Sequence, residues 1–212
     1  MGNNGQILQA KQIAVDYIQA FELLLHQIDP DAIGRIVQYL RNAGNRGATI
    51  YVAGNGGSAA TASHWVNDLG KATKCSGELP MRVMSLSDNI SWLTALANDE
   101  GYDRVFSGQL ENFARSGDVL VVISASGNSP NLVDAVEFAR RHELLTIGFL
   151  GFDGGVLKNK VDDYLWLPTE KGAYGLVESG HSLLCHILTT CLMQPQAATS
   201  SEIRPNQRAD AG

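Results

Sequence analysis

At 212 residues, with 44% hydrophobic and 18% charged side chains, the chain has the size of one large globular domain and is too apolar to be disordered. A formal charge of -6 argues against non-specific binding to nucleic acid or to an anionic membrane, both of which call for a basic surface. Cys75, Cys185 and Cys191 form an odd set without C-x-x-C spacing, the pattern of free thiols in a reduced, cytoplasmic compartment, and neither an apolar run of membrane-span length nor a signal-peptide start is present.

From Ile7 the apolar residues Ala10, Ile13, Ala14, Tyr17, Ile18, Phe21, Leu24 and Leu25 follow helical spacing, and the helix ends before Asp29-Pro30. It precedes the first strand and has no sheet of its own to cover, which points to packing against another subunit. Asp29 or Asp31 caps a second helix, which carries Ile33, Ile36, Val37 and Leu40 and stops at Asn42-Ala43-Gly44. Strands and helices then alternate. Strands are predicted over 48–53, 82–86, 118–124, 145–150 and 163–167, and helices over 59–71, 89–96, 102–113, 131–142 and 177–192. The run from Asp118 to Ser124 is continuously β-branched or apolar, as in a strand buried on both faces. Five strands alternating with helices predict an open parallel α/β sheet covered on both faces. Residues 1–47 form a helical segment, 48–193 the α/β domain, and 194–212, rich in Pro, Gln, Ala and Ser, a tail expected to be disordered.

Ligands of such sheets bind at the carboxyl ends of the strands. Two turns there carry anion-binding chemistry. Gly54-Asn55-Gly56-Gly57-Ser58 joins a strand to a helix and leaves bare N–H groups at the helix start. It fits neither G-x-G-x-x-G nor the P-loop pattern, so no nucleotide cofactor is expected. Ser124-Ala125-Ser126-Gly127-Asn128-Ser129 is the second turn, where Ser129 alone would suffice as a helix cap. Neither turn holds Lys or Arg, which suits a single phosphate monoester better than a polyphosphate. His64 and Asp68 stand four apart on one helix face. On the last helix Glu178 and His186 lie about 80° apart, whereas His181 lies about 140° from His186, so both histidines do not face one site. These side chains could bind a divalent metal, serve as acid and base next to a carbonyl, or simply pair on the surface. Asn98-Asp99 is a further polar pair at a helix end.

Gly54-Asn55-Gly56-Gly57-Ser58, Ala97-Asn98-Asp99, the 123–129 segment and Gly151-Phe152-Asp153-Gly154-Gly155 occur in the order of the motifs of the sugar isomerase (SIS) domain family, which the chain resembles over about residues 7–192. The resemblance is closest to the phosphoheptose isomerase branch. It implies a flavodoxin-like five-stranded fold and a homotetramer built around the N-terminal helix. The implied phosphate ligands are Ser58, Ser124, Ser126 and Ser129, with Asn55, Gly56, Gly57, Ala125, Asn98, Asp99 and Glu178 as further substrate contacts. It also implies a proton transfer between C1 and C2 through an enediol. The family positions for a zinc site fall on His64, Asp68, Glu178 and His186, with Asp68, Glu178 and His186 as candidate base and acid. The implied reaction converts sedoheptulose 7-phosphate to D-glycero-D-manno-heptose 7-phosphate. The alternatives are an isomerase of another phosphosugar, and a non-catalytic relative that binds a sugar phosphate or the replication initiator protein DnaA. The chain departs from the family pattern in three places. Asp68 stands for Glu, Glu178 stands for Gln, and Tyr174-Gly175-Leu176-Val177 stands where an Asp-Arg pair is usual.

Overall fold

The unbroken apolar run becomes β3, Val119–Ser124, the middle strand of a five-stranded sheet, and all six of its residues are buried. The structure, a computed structural model, describes residues 3–76 and 80–195, so the expected tail lies from residue 196 outside the described residues. Strands β1 (Thr49–Gly54), β2 (Arg82–Ser85), β4 (Leu145–Leu150) and β5 (Asp163–Trp166) complete the sheet. All pairs are parallel and the order is β2-β1-β3-β4-β5, the flavodoxin-like arrangement. The order reverses between β1 and β3, and the Gly54–Ser58 and Ser124–Ser129 turns leave the sheet side by side at that switch.

The helices are α1 (Asn3–Leu25), α2 (Pro30–Asn45), α3 (Gly57–Ala72), α4 (Ile90–Asp99), α5 (Ser107–Phe113), α6 (Pro130–Arg141) and α7 (Tyr174–Met193). Side chains alternate across each strand. Ile50, Val52, Val119, Val121 and Ile123 pack with α2, α3 and α7 through Ile36, Leu40, Trp65, Leu69, Leu184 and Leu188. Tyr51, Ala53, Leu120 and Val122 pack with α5 and α6 on the opposite face through Leu110, Leu132, Val136 and Phe138. Asp29 caps α2 by accepting from the Asp31 N–H at 2.9 Å, and Asn89 caps α4 by accepting from the Trp92 N–H at 3.1 Å.

One predicted helix is broken. Residues 102–113 form a 3-10 turn at Tyr102–Arg104 and then α5, rather than a single helix. The break buries Val105 and Phe106 and frees two tertiary contacts. The Tyr102 hydroxyl donates to Asn55 Oδ1 at 3.0 Å, and the Arg104 guanidinium donates to the Ser107 hydroxyl at 2.9 Å and to the carboxylates of Glu111 and Asp134. The α1 helix is the other departure from a self-contained fold. Leu24 is its buried anchor, while Ile7, Leu8, Ile13, Val15, Tyr17, Ile18 and Leu23 are exposed, Leu8 and Leu23 at 67%. Among the described residues no helix is long and apolar enough to cross a membrane.

Candidate active site

The two turns at the switch enclose a cleft of about 160 Å³, lined by Asn55 and Ser58 from the first, Ser124, Ala125, Ser126 and Ser129 from the second, and Tyr174 and Glu178 from α7. Ser129 occupies the N-cap of α6 and Gly56 that of α3, and neither makes a side-chain capping bond. In the first turns the Ser58 and Ala59 N–H groups donate to the Asn55 carbonyl and the Leu132 N–H to that of Ser129, and Pro130 has no N–H, so Gly57 and Asn131 are, among the described residues, the helix-start donors left without a backbone acceptor. Ser124 Oγ accepts from the Gly127 N–H at 3.0 Å and Ser126 Oγ from the Asn128 N–H at 3.3 Å, so each hydroxyl keeps its own proton to donate. Asn55 and Asn131 exchange reciprocal amide hydrogen bonds at 2.9 Å and tie the two turns together.

The Gly151–Gly155 stretch braces the serine turn from behind. The Leu157 N–H donates to the Gly127 carbonyl and the Val156 N–H to Asn128 Oδ1, both at 3.0 Å. Gly127 has φ of 63°, and a Cβ there would stand 2.0 Å from the Gly154 carbonyl oxygen. The turn thus needs glycine for both conformation and contact.

A second cluster lies along the seam of α3 and α7. His64 Nε2 and His186 Nε2 are 3.0 Å apart, and Asp68 Oδ2 stands 3.2 Å from the first and 3.7 Å from the second. His64 and His186 are about half exposed and Asp68 is 21% exposed, so a ligand can reach them. Donor atoms 2.0–2.1 Å from a tetrahedral zinc would be about 3.3 Å from one another, and the three distances bracket that value. Two imidazoles and a carboxylate are also a sufficient set for acid–base chemistry. The residues present therefore fit a three-donor divalent metal site as well as a proton-transfer unit.

The remaining site expectations distribute differently. Glu178 is outside the three-residue cluster. Its carboxylate rests over Gly57, where a Cβ would meet its atoms at 2.6 Å, and so it forms a wall of the serine cleft. Gly56 and Gly57 shape the α3 start without lining the cleft by side chain. Asn98 and Asp99 are exposed at the end of α4 and bond to each other, Asn98 Nδ2 to Asp99 Oδ1 at 2.7 Å, apart from the cleft lining of a single chain. His181 is fully buried against Phe149, as its angular offset from His186 requires. Burial pushes its pKa down to about 4, the Leu150 backbone offsetting only part of this, and neither ring nitrogen has a hydrogen-bond partner among the described residues. Cys185 and Cys191 are free, and burial raises the Cys185 thiol so that it stays protonated. Sequence patterning did not single out Asn131 or Tyr102, and it met Tyr174 only within the segment that departs from the family pattern. Asn131, in the first turn of the helix after the serines, carried the one usable signal.

Comparison with known proteins fits this geometry. A phosphoheptose isomerase from Pelobacter propionicus is 38% identical over 172 residues, covering 79% of this chain and 87% of the relative. One from Trichlorobacter lovleyi is 35% identical over 186 residues, 87% of this chain and 92% of the relative. The solved structure of phosphoheptose isomerase from Neisseria gonorrhoeae superimposes with a TM-score of 0.74 at 30% identity, over 90% of this chain and 98% of that one. The SIS domain family itself matches residues 16–151, from α1 through β4, a span that includes the glycine turn and the serine turn together with His64 and Asp68. With its parallel sheet, its paired glycine and serine turns and these relatives, the chain belongs to the SIS domain family.

Proposed function

We propose that the chain is an aldose–ketose phosphosugar isomerase that interconverts sedoheptulose 7-phosphate and D-glycero-D-manno-heptose 7-phosphate. The observation that carries the reading is the pairing of a serine cleft, walled on one side by the starts of α3 and α7, with a histidine–carboxylate seam further along those two helices. The similarity to phosphoheptose isomerases supports it. In this reading the hydroxyls of Ser58, Ser124, Ser126 and Ser129, with the Gly57 and Asn131 N–H groups at the helix starts, hold the phosphate, and Asn55 is fixed for substrate contact by Asn131 and Tyr102. The sugar extends from the cleft along α3 and α7 to the seam. Asp68 removes the proton from C1 or C2 of the open-chain sugar, and His186 moves the proton at the neighbouring oxygen, so that an enediol forms and collapses to the isomer. Zinc, held by His64, Asp68 and His186, would polarise the carbonyl and favour the enediol.

The exposed apolar face of α1 supports a homotetramer in which this helix is covered by other subunits. Asn98 and Asp99 then belong to the approach to the cleft, three residues ahead of the Tyr102 hydroxyl that reaches Asn55. A cytoplasmic location suits the free thiols.

The test is to incubate the purified protein with sedoheptulose 7-phosphate in deuterated buffer, with chelator and then with added zinc, and to follow products by NMR. Formation of the aldose with deuterium at C2 is the expected result. Exchange without net product would keep the chemistry and reject this sugar. Neither exchange nor product across a panel of ketose phosphates, with phosphosugar binding retained, would make the chain a binding protein.

A further inference from the structure

The serine cleft has a charge imbalance. Its lining holds the Glu178 carboxylate and no Lys, Arg or His, so a phosphate dianion there meets one negative charge and only neutral donors. A second cavity of about 140 Å³ shares Ser126 with the cleft and is lined otherwise by Asn128, Phe152, Asp153, Thr169 and Lys171. Lys171 is the one cation in either lining. It is exposed and, among the described residues, makes no ion pair. The neighbouring cations are committed elsewhere. Lys158 Nζ lies 3.1 Å from the Trp166 ring centroid, Lys160 pairs with Glu137, and Arg104 is shared between Glu111 and Asp134. The Ala173 N–H donates to the Glu170 carbonyl at 3.1 Å, a turn that presents Lys171 at its corner just ahead of α7. Below it, Thr169 Oγ1 is buried without a hydrogen-bond partner among the described residues, a donor waiting for an acceptor. Asp153, the negative charge in this cavity, accepts from the Gly155 N–H at 3.0 Å and is thereby held to its own loop.

We propose that Lys171, with Thr169, completes the phosphate site: the cavity they line reaches Ser126 and Asn128 of the serine turn, so the ammonium and the hydroxyl meet the phosphate at Ser126. The inference rests on reading the serine cleft as the phosphate site. Lys171 is then a binding residue of the β5–α7 loop, and it supplies the charge that both glycine and serine turns lack. Its contribution is made equally to ground state and transition state, because the phosphate takes no part in the proton transfer.

Calorimetric titration of the whole protein with inorganic phosphate tests this, alongside steady-state kinetics with sedoheptulose 7-phosphate. In Lys171→Ala we expect phosphate affinity to fall by about tenfold and KM to rise in step, with kcat changed less than about twofold. Lys171→Arg should restore affinity to within about threefold, and the salt dependence of phosphate binding should be shallower in Lys171→Ala than in wild type. Thr169→Val should weaken phosphate a few-fold. A wild type that binds phosphate beside a Lys171→Ala variant that binds it equally well, or an Arg variant no better than Ala, overturns this inference and leaves the serine cleft standing. A wild type that binds no phosphate overturns both.

Discussion

Between His64 and His186 the two Nε2 atoms stand 3.0 Å apart, the distance of one hydrogen bond between the rings or of two donors on one cation. Removing one ring therefore disables the pair. His186→Ala should lower turnover by at least about 100-fold while leaving the elution volume of the assembled protein unchanged, since the side chain is half exposed and carries no core packing. Glu178 carries a different expectation because it stands on the cleft wall above Gly57 rather than among the seam residues. If it rotates into the seam to supply charge that the shorter Asp68 delivers less directly, Glu178→Gln lowers turnover or bound zinc, measured by kinetics and metal analysis. Full retention of both would confine Glu178 to the cleft wall. His181 bears on stability alone. An unfolded imidazole titrates near 6.5, whereas the buried ring stays neutral down to about 4. Between these values the unfolded chain binds the extra proton, so stability is lost as pH falls through that window, by at most about 3 kcal/mol from this group. His181→Leu should flatten the pH dependence of the melting temperature between 6.5 and 4, and an unchanged profile would assign the acid sensitivity to other groups.

At the scale of elements, α1 is the piece whose sequence and single-chain environment disagree. It is about 34 Å long at 1.5 Å per residue and leaves seven large apolar side chains in solvent. Leu8→Lys combined with Ile18→Lys should split the assembly, read by sedimentation velocity, with the far-UV circular dichroism of the α/β domain retained. A wild type that sediments as a monomer would overturn the subunit-packing role. The same disagreement was visible beforehand, because an apolar helix ahead of the first strand had no sheet left to cover. The strands were legible to within one residue at each end, because a parallel strand buried on both faces leaves an unbroken apolar run such as Val119–Ile123. That the serine and glycine turns meet at one cleft was legible because a glycine- and hydroxyl-rich stretch between a strand and a helix is a local pattern. The break after Tyr102–Arg104 was not, because periodicity cannot register that Arg104 finds Asp134 thirty residues on. Lys171 escaped for the same reason, since the loop ahead of α7 brings it to a cavity that the serine turn also lines. Glu178 lies on α7, and its direction depends on the absence of a side chain at Gly57 on the neighbouring helix α3.

The whole molecule sets the length of the substrate. Gly57 lies beneath Glu178 and His64 beside His186, so α3 and α7 run side by side in the same direction from the cleft to the seam. Seven residues from Gly57 to His64, at about 1.5 Å each, separate the two ends by about 10 Å. An open-chain seven-carbon monophosphate, with bonds of about 1.5 Å in zigzag, spans a similar distance of about 10 Å from phosphorus to C1. A five-carbon ketose phosphate is shorter by about 2.5 Å, and its C1 and C2 fall short of Asp68 and His186 when its phosphate is seated. The rigid frame cannot close that gap, because Asn55–Asn131 and the Gly127–Gly154 contact lock the cleft to the sheet on which both helices pack. We therefore expect kcat/KM for the five-carbon substrate to be at least about 100-fold below that for sedoheptulose 7-phosphate, with the loss in kcat more than in KM, since the phosphate end still binds. Steady-state kinetics on the pair decide the matter. Equal kcat/KM for both sugars would mean that the cleft and the seam are not the two ends of one site.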